Sequence, residues 1–336
     1  MQEIKYHFSS YKNAMRLNVN NGIFYCTFPS LDQTGLVSHL FSTRIGGVSD
    51  GCCASLNFSY KMDNSKNNVD ENFCRISEIL GYGRNLKNFV CSQQQHHTNV
   101  KRVFESDRGS GTAVPLRYYD FDALITDVPG LILVTFHADC VPIYIVDPVH
   151  AAIGLCHSGW KGTLNMIAFK TINSMGTQFG SRAEDCICAI GPSICVDCYE
   201  VGEEIYDLFH EKYGEAIDNY PIFKKFPNGS FHLNLCQPFF RTKYAESRFY
   251  IGDGLKIAVL NVFSDELLHL VFQCVLAGFT EMKADDEGLV AALHNQSGSL
   301  RRGFRHGSNR VFSSVFHSVL LLSSDLSGRL ASLWVL

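Results

Sequence analysis

The sequence contains no apolar run long enough to cross a bilayer, which takes about 18–20 residues. Its best stretch, Leu267 to Phe279, is short and carries His269 and Gln273. The run from Val315 to Leu336 is broken by Ser323-Ser-Asp325 and by Arg329. Neither reads as a membrane span. The opening residues, Met1-Gln-Glu-Ile-Lys-Tyr-His7, lack the basic stretch and apolar stretch that mark a protein for export. Charge of one sign is also missing. A net charge of -4 is not the footprint of a protein that binds nucleic acid or an anionic membrane. No internal repeat and no low-complexity tract occurs. The 13 histidines include no His-x-His pair, which argues against a copper centre built from clustered histidines.

What is present is a globular composition. The chain has 336 residues and is 46% apolar, enough for one large domain or two modest ones with a sizeable core. Cysteine is abundant, at 13 residues. An odd count without an export signal reads as reduced thiols in the cytoplasm, most of them small buried hydrophobes.

Residues 1–21 are polar and read as an irregular leader. Short apolar runs then alternate with Gly, Asn and Ser turns. Gly22 to Phe28 and Val37 to Thr43 predict strands. Asp70 to Leu80 predicts a helix ending at Gly81. The middle is clearest: Gly130 to Phe136, Val141 to Val146 and Ala151 to Cys156 are β-branched, apolar strands. A glycine-punctuated turn, His157-Ser-Gly-Trp-Lys-Gly-Thr163, follows. Helical spacing runs from Leu164 to Met175, a strand covers Cys186 to Ile190, and a further helix covers Tyr199 to Tyr213. A last helix is predicted over Ser264 to Ala277. Strands and helices alternate, so the class is α/β or α+β.

Three side chains stand out chemically. His96 lies in Gln94-Gln-His-His-Thr98, Cys140 in His137-Ala-Asp-Cys-Val-Pro142, and His157 at the end of a strand. Strand ends followed by glycine turns are where open α/β sheets place their sites. Imidazole, thiolate and imidazole suit zinc, or copper as an alternative, and three protein ligands leave a fourth position open. By spacing alone the set is weak, because it is scattered over some 62 positions, and each member has a bland reading as a satisfied core residue. His96 and His97, placed on one strand, would point to opposite faces, so only one serves as a ligand. Cys186 and Cys188, two apart on a strand, point the same way and read as buried thiols. Cys52-Cys53 reads as a turn pair, and adjacent cysteines rarely bridge. Arg44, followed by Gly46-Gly47, offers a planar fork for phosphate or carboxylate, and Lys161 is a second anion-binding candidate.

Taken in order, the segments resemble one family. They are Phe41-Ser-Thr-Arg-Ile-Gly-Gly-Val-Ser49, Ser55-Leu-Asn57, Asp63, Val69, Glu71-Asn72, Gln94-Gln-His96, Asp122-Ala-Leu-Ile-Thr126, Ala138-Asp-Cys-Val-Pro142, His157-Ser-Gly-Trp-Lys-Gly162, Gly191-Pro-Ser-Ile194 and Cys198-Tyr-Glu-Val-Gly202. Phe231-His-Leu-Asn-Leu235 is similar to the family's next strand. The set resembles the laccase-domain family, also called the multicopper polyphenol oxidase, YfiH-like or purine nucleoside phosphorylase family, over about residues 22–240. The resemblance implies a compact single domain with a mixed sheet over 22–240 and leaves 241–336 as a divergent C-terminal segment. It maps the family's metal triad onto His96, Cys140 and His157.

The resemblance further implies zinc-dependent phosphorolysis of purine nucleosides, with related adenosine deamination and methylthioadenosine cleavage. The partners are then a purine nucleoside and phosphate, not nucleic acid or membrane. Arg44 and Lys161 are implied for phosphate, Asn57 and Tyr199 for substrate contact, and Asp139 for orienting a ligand. Copper-dependent polyphenol oxidation and non-catalytic binding are the competing classes. The family closes with a Cys-Thr pair and an aromatic-Ser-Tyr/His-Arg-Arg segment, and no such pattern follows Phe240.

Overall fold

The computed structural model describes residues 15–214, 217, 222–236, 316–322 and 333–335, the last two segments as backbone only. In chain order its elements are β1 (Arg16–Asn20), β2 (Ile23–Thr27), α1 (Pro29–Asp32), β3 (Val37–Ser42), α2 (Lys66–Ile79), β4 (Phe89–Cys91), β5 (Val100–Arg102), β6 (Ala123–Thr126), β7 (Ile132–His137), β8 (Val141–Asp147), β9 (Ala152–Ser158), α3 (Trp160–Leu164), α4 (Ile167–Phe179), β10 (Ile187–Ile190), β11 (Glu200–Val201), α5 (Glu203–Tyr213), β12 (Phe223–Lys225), β13 (Phe231–Leu233), β14 (Phe316–Leu322) and β15 (Leu333–Val335). The helix predicted over 264–277 lies outside the described residues.

Two mixed sheets carry the fold. One has the order β1-β2-β3-β15-β14-β7-β4, the other β10-β8-β9-β6-β5, and a small third sheet has the order β11-β13-β12. The apolar strands are apolar because both of their faces are covered. Along β8, Ile143 and Ile145 join Met175 and Phe209 of the helices on one side, whereas Tyr144 and Val146 join Leu133 and Phe41 of the other sheet. On β7, Leu133 faces this inter-sheet core, and Ile132 and Val134 face Phe73 and Ile76 of α2. The period of two thus sorts one continuous apolar run into two cores. The layers run α2, sheet, sheet, then α3 to α5.

Several boundaries differ from the sequence reading. Residues 16–20, read as irregular leader, form an edge strand against β2, with Leu17 and Val19 about half exposed. Helix α2 begins at Lys66, because its first turn is polar and exposes no apolar period. The expected turn over 157–163 is the end of β9 followed by a short helix, with Gly159 as its N-cap. The helix expected from Tyr199 begins at Glu203 after Gly202, since Glu200 and Val201 pair with β13 instead. The divergent C-terminal segment contributes β14, which pairs with both β3 and β7. Among the described residues no helix is long and apolar enough to cross a membrane.

Asn72 of α2 ties the 44–57 loop to this frame. Its fully buried amide accepts the Val48 N–H at 2.9 Å and donates to the Asn57 carbonyl at 2.7 Å and the Ser49 hydroxyl at 3.0 Å. The loop lies close-packed: a Cβ on Gly47 would sit 2.1 Å from the Ser55 carbonyl oxygen. Replacing Asn72 by Ala leaves a part-buried N–H and a buried C=O unpaired. We expect a loss of about 2–4 kcal/mol in urea denaturation. A loss below about 0.5 kcal/mol would show that the loop pairs those groups without Asn72.

Candidate metal centre

Antiparallel pairing sets the centre's base. Strands β8 and β9 align Val141 with Ser158 and Pro142 with His157. The turn between β7 and β8 therefore brings Cys140 beside the last residues of β9. His96 reaches the same place from the loop after β4. The ligand atoms of His96, Cys140 and His157 all lie within 4.8 Å of one another, and among the described residues this is the cluster able to hold a metal ion. The imidazoles of His96 and His157 meet edge to face, with centroids 4.8 Å apart.

One carboxylate organises two of the three donors. Asp122, fully buried just before β6, accepts the His157 Nδ1–H at 2.7 Å. It also accepts the backbone N–H groups of Gln95, His96 and His97, each at 3.0 Å. Those amides close the turn in which His96 takes a left-handed φ of 61°, a conformation that non-glycine residues rarely adopt and that recurs at functional sites. Burial alone would raise the Asp122 carboxyl. The hydrogen bonds from His157 and the loop amides outweigh it and hold the group below its ordinary range. An ionised Asp122 fixes the proton of His157 on Nδ1 and leaves Nε2 as the ligand nitrogen. Asp139, expected in this orienting role, is instead raised by burial and gives its backbone carbonyl to Ile194.

Burial, and then the neighbouring His157, lowers His96, so its imidazole is neutral at neutral pH. Burial pushes the Cys140 thiol up to about 12, with Asp139 and Asp122 adding to the rise. An imidazole kept neutral, a second imidazole oriented by Asp122 and a thiol whose ionisation needs a nearby cation match the chemistry of zinc or copper ligation. Gly159 makes room for them. A Cβ there would lie 2.8 Å from His96 Cδ2 and 3.0 Å from Cys140 Sγ.

The other expected residues divide into two groups. Lys161, on α3, lies near enough for its charge to lower His96, and its Nζ rests 5.4 Å from the Trp160 ring centroid. Tyr199 sits on the Cys140 side, its hydroxyl pushed up to about 12 by burial and then by Cys140 and Asp139. Arg44 is exposed, and donates from Nε to the Ala54 carbonyl at 2.9 Å and from Nη2 to the Cys52 carbonyl at 3.4 Å. Asn57 spends its amide within its own loop, donating to Asp63 at 3.0 Å and to the Ser59 carbonyl at 3.3 Å. His97 turns away to Asp120. Only one of the histidine pair is a donor, as expected, but the cause is the turn at His96 and not strand alternation. Cys186 and Cys188 are buried in the core between sheet and helices.

Asp122 and Gly159 lie within the family-like segments, but the sequence alone gives neither a role. An acid opening an otherwise apolar buried strand was the available signal for Asp122. His137 is a further residue at the site that the sequence does not single out. It is buried, with its ring 5.1 Å from His157, and bonds to Thr135 and to the Cys140 carbonyl.

Comparison with known proteins identifies the family. The chain is 34% identical over 211 residues to a purine nucleoside phosphorylase of Bacteroides thetaiotaomicron, covering 62% of this chain and 77% of that one. It is 37% identical over 171 residues to purine nucleoside phosphorylase YlmD of Geobacillus stearothermophilus, covering 49% of this chain and 60% of the relative. It is 30% identical over 162 residues to adenosine deaminase RL5 of an unknown prokaryotic organism, covering 48% and 61%. The chain thus spans only about three fifths of the second and third relatives. Among solved structures, Bacillus licheniformis YfiH superposes with a TM-score of 0.59 at 30% identity, covering 66% of this chain and 79% of the other. The family model described as multi-copper polyphenol oxidoreductase laccase matches residues 38–242, ending where the sequence resemblance ends. With more than half of its length matched, the chain belongs to the multi-copper polyphenol oxidoreductase laccase family.

Proposed function

We propose that this chain is a cytoplasmic, zinc-dependent purine nucleoside phosphorylase that takes a purine nucleoside and phosphate. The observation that carries the reading is the convergence of His96, Cys140 and His157 on one point, oriented by Asp122, in a chain whose relatives bear that name.

His96, Cys140 and His157 would hold the ion. When bound, it supplies Lewis acidity and an open coordination position. Copper is the alternative occupant of the same donors. Asp122 keeps His157 in one tautomer and one orientation. Lys161 adds positive charge beside His96, where an incoming phosphate is neutralised, and Arg44 presents a planar fork for the same anion. Tyr199 keeps its proton at neutral pH and donates a hydrogen bond to the bound substrate. Asn57 acts by shaping its loop and not by touching substrate, since both of its amide hydrogens are engaged.

The test is to incubate purified, zinc-loaded protein with inosine and look for hypoxanthine by chromatography. Release that requires phosphate and disappears in Cys140→Ala is the expected outcome. No release with phosphate present would end the phosphorylase reading. Adenosine deamination is the second reading, favoured by the deaminase among the relatives. It predicts inosine from adenosine in the absence of phosphate.

A further inference from the structure

Gly51–Cys53 forms a short 3-10 turn that places two adjacent thiols side by side. The Sγ atoms of Cys52 and Cys53 are 4.0 Å apart. Cys52 is exposed and Cys53 half-buried, and the Cys53 thiol donates to the Met62 carbonyl at 3.1 Å. The same turn holds Arg44, through the carbonyls of Ala54 and Cys52.

We propose that Cys52 and Cys53 form a vicinal dithiol site for a trivalent arsenical of the R–As=O class, which both sulfurs chelate together. Two As–S bonds form and the As=O bond breaks. The oxide oxygen leaves with both thiol protons as water, and arsenic stays trivalent, so the step needs no oxidant.

The geometry favours chelation over a disulfide. A disulfide requires sulfurs about 2.05 Å apart and Cα atoms usually about 4.4–6.8 Å apart, whereas neighbouring residues hold their Cα atoms at about 3.8 Å. A chelate places an atom between the sulfurs and asks for far less closure from 4.0 Å. Partial burial, and then the neighbouring thiol, pushes Cys53 up to about 11. That makes it a poor thiolate for disulfide exchange, while condensation with an arsine oxide carries the thiol protons away in water. Because the Cys52 carbonyl accepts from Arg44, a bound arsenical bears directly on the turn that orients this arginine.

The experiment treats the full-length, zinc-loaded protein with one equivalent of phenylarsine oxide, washes with excess 2-mercaptoethanol and records the intact mass. One adduct per chain is expected, with the mass of phenylarsine oxide less one water. It survives the monothiol, is released by dithiothreitol and maps to the peptide carrying Cys52 and Cys53. Cys52→Ser and Cys53→Ser each retain the adduct about 10²-fold or more weakly, because the second thiol no longer acts at the high effective concentration of a tethered group. Both side chains are at the surface, and thermal melting checks that each variant folds. Cys198→Ser, which removes one thiol of the separate Cys195-Val-Asp-Cys198 pair, keeps the adduct. Loss of the wild-type adduct to 2-mercaptoethanol overturns the proposal. So does full retention in Cys53→Ser, or loss in Cys198→Ser.

Discussion

Replacing Gly159 by Ala is expected to abolish metal binding while leaving the fold in place. The glycine has φ -79° and ψ -174°, an extended conformation open to any residue, so alanine meets no backbone strain there. The whole cost is contact. The new methyl carbon would lie 2.8 Å from His96 Cδ2, closer than real Cβ atoms approach their neighbours, and a tight 3.0 Å from Cys140 Sγ. What must move are the two donors themselves. His96 is partly exposed and sits on a loop, so the clash is relieved at the site and not in the core. Zinc affinity, measured by chelator competition, should fall by at least about 100-fold, the upper end of what disturbing a metal's surroundings costs. Stability of the metal-free protein should change by no more than about 1 kcal/mol. A Gly159→Ala protein that binds zinc as tightly as the wild type would mean that these donors do not close on the ion together.

The parts of the fold legible in the sequence are those whose pattern has a local cause. Strands β7, β8 and β9 are buried on both faces, so they stand out as apolar, β-branched runs. Strand β1 does not, because Arg16-Leu-Asn-Val-Asn20 lies at an edge with both its apolar residues, Leu17 and Val19, about half exposed. Helix α3 reads as a turn from its glycines. Gly159 caps it, and a Cβ on Gly162 would lie 3.1 Å from Ser158 Oγ, so both glycines answer to packing and not to flexibility. The three donors were legible as residue types, but their meeting depends on the β8–β9 register and on the turn at His96, neither of which spacing reveals. Asp122 was the hardest to assign. Its purpose lies in contacts 25 to 35 residues away along the chain, and nothing next to it announces them.

Asp122→Asn is therefore the more informative substitution, because it keeps the shape and removes the charge. Wild-type Asp122 receives four donors: His157 Nδ1–H and His96 N–H on Oδ1, and the Gln95 and His97 N–H groups on Oδ2. Asparagine offers one acceptor oxygen and one NH₂. Whichever way the amide turns, two donors face another donor in a fully buried place. We expect a loss of about 3 kcal/mol in urea denaturation of the metal-free protein at pH 7, and about a 10–100-fold loss of zinc affinity as His157 loses its fixed tautomer. The pH dependence supplies the sign. The folded carboxyl of Asp122 lies below its unfolded value of about 3.9, so its contribution is complete above that value and fades as pH falls through the folded one. The wild type should thus approach the variant in stability on acidification below about pH 4, and a difference that stays constant across that range would assign the loss to shape and not to charge. If both stability and zinc affinity survive the substitution, the turn at His96 and the orientation of His157 are set by the sheet itself, and Asp122 is a bystander.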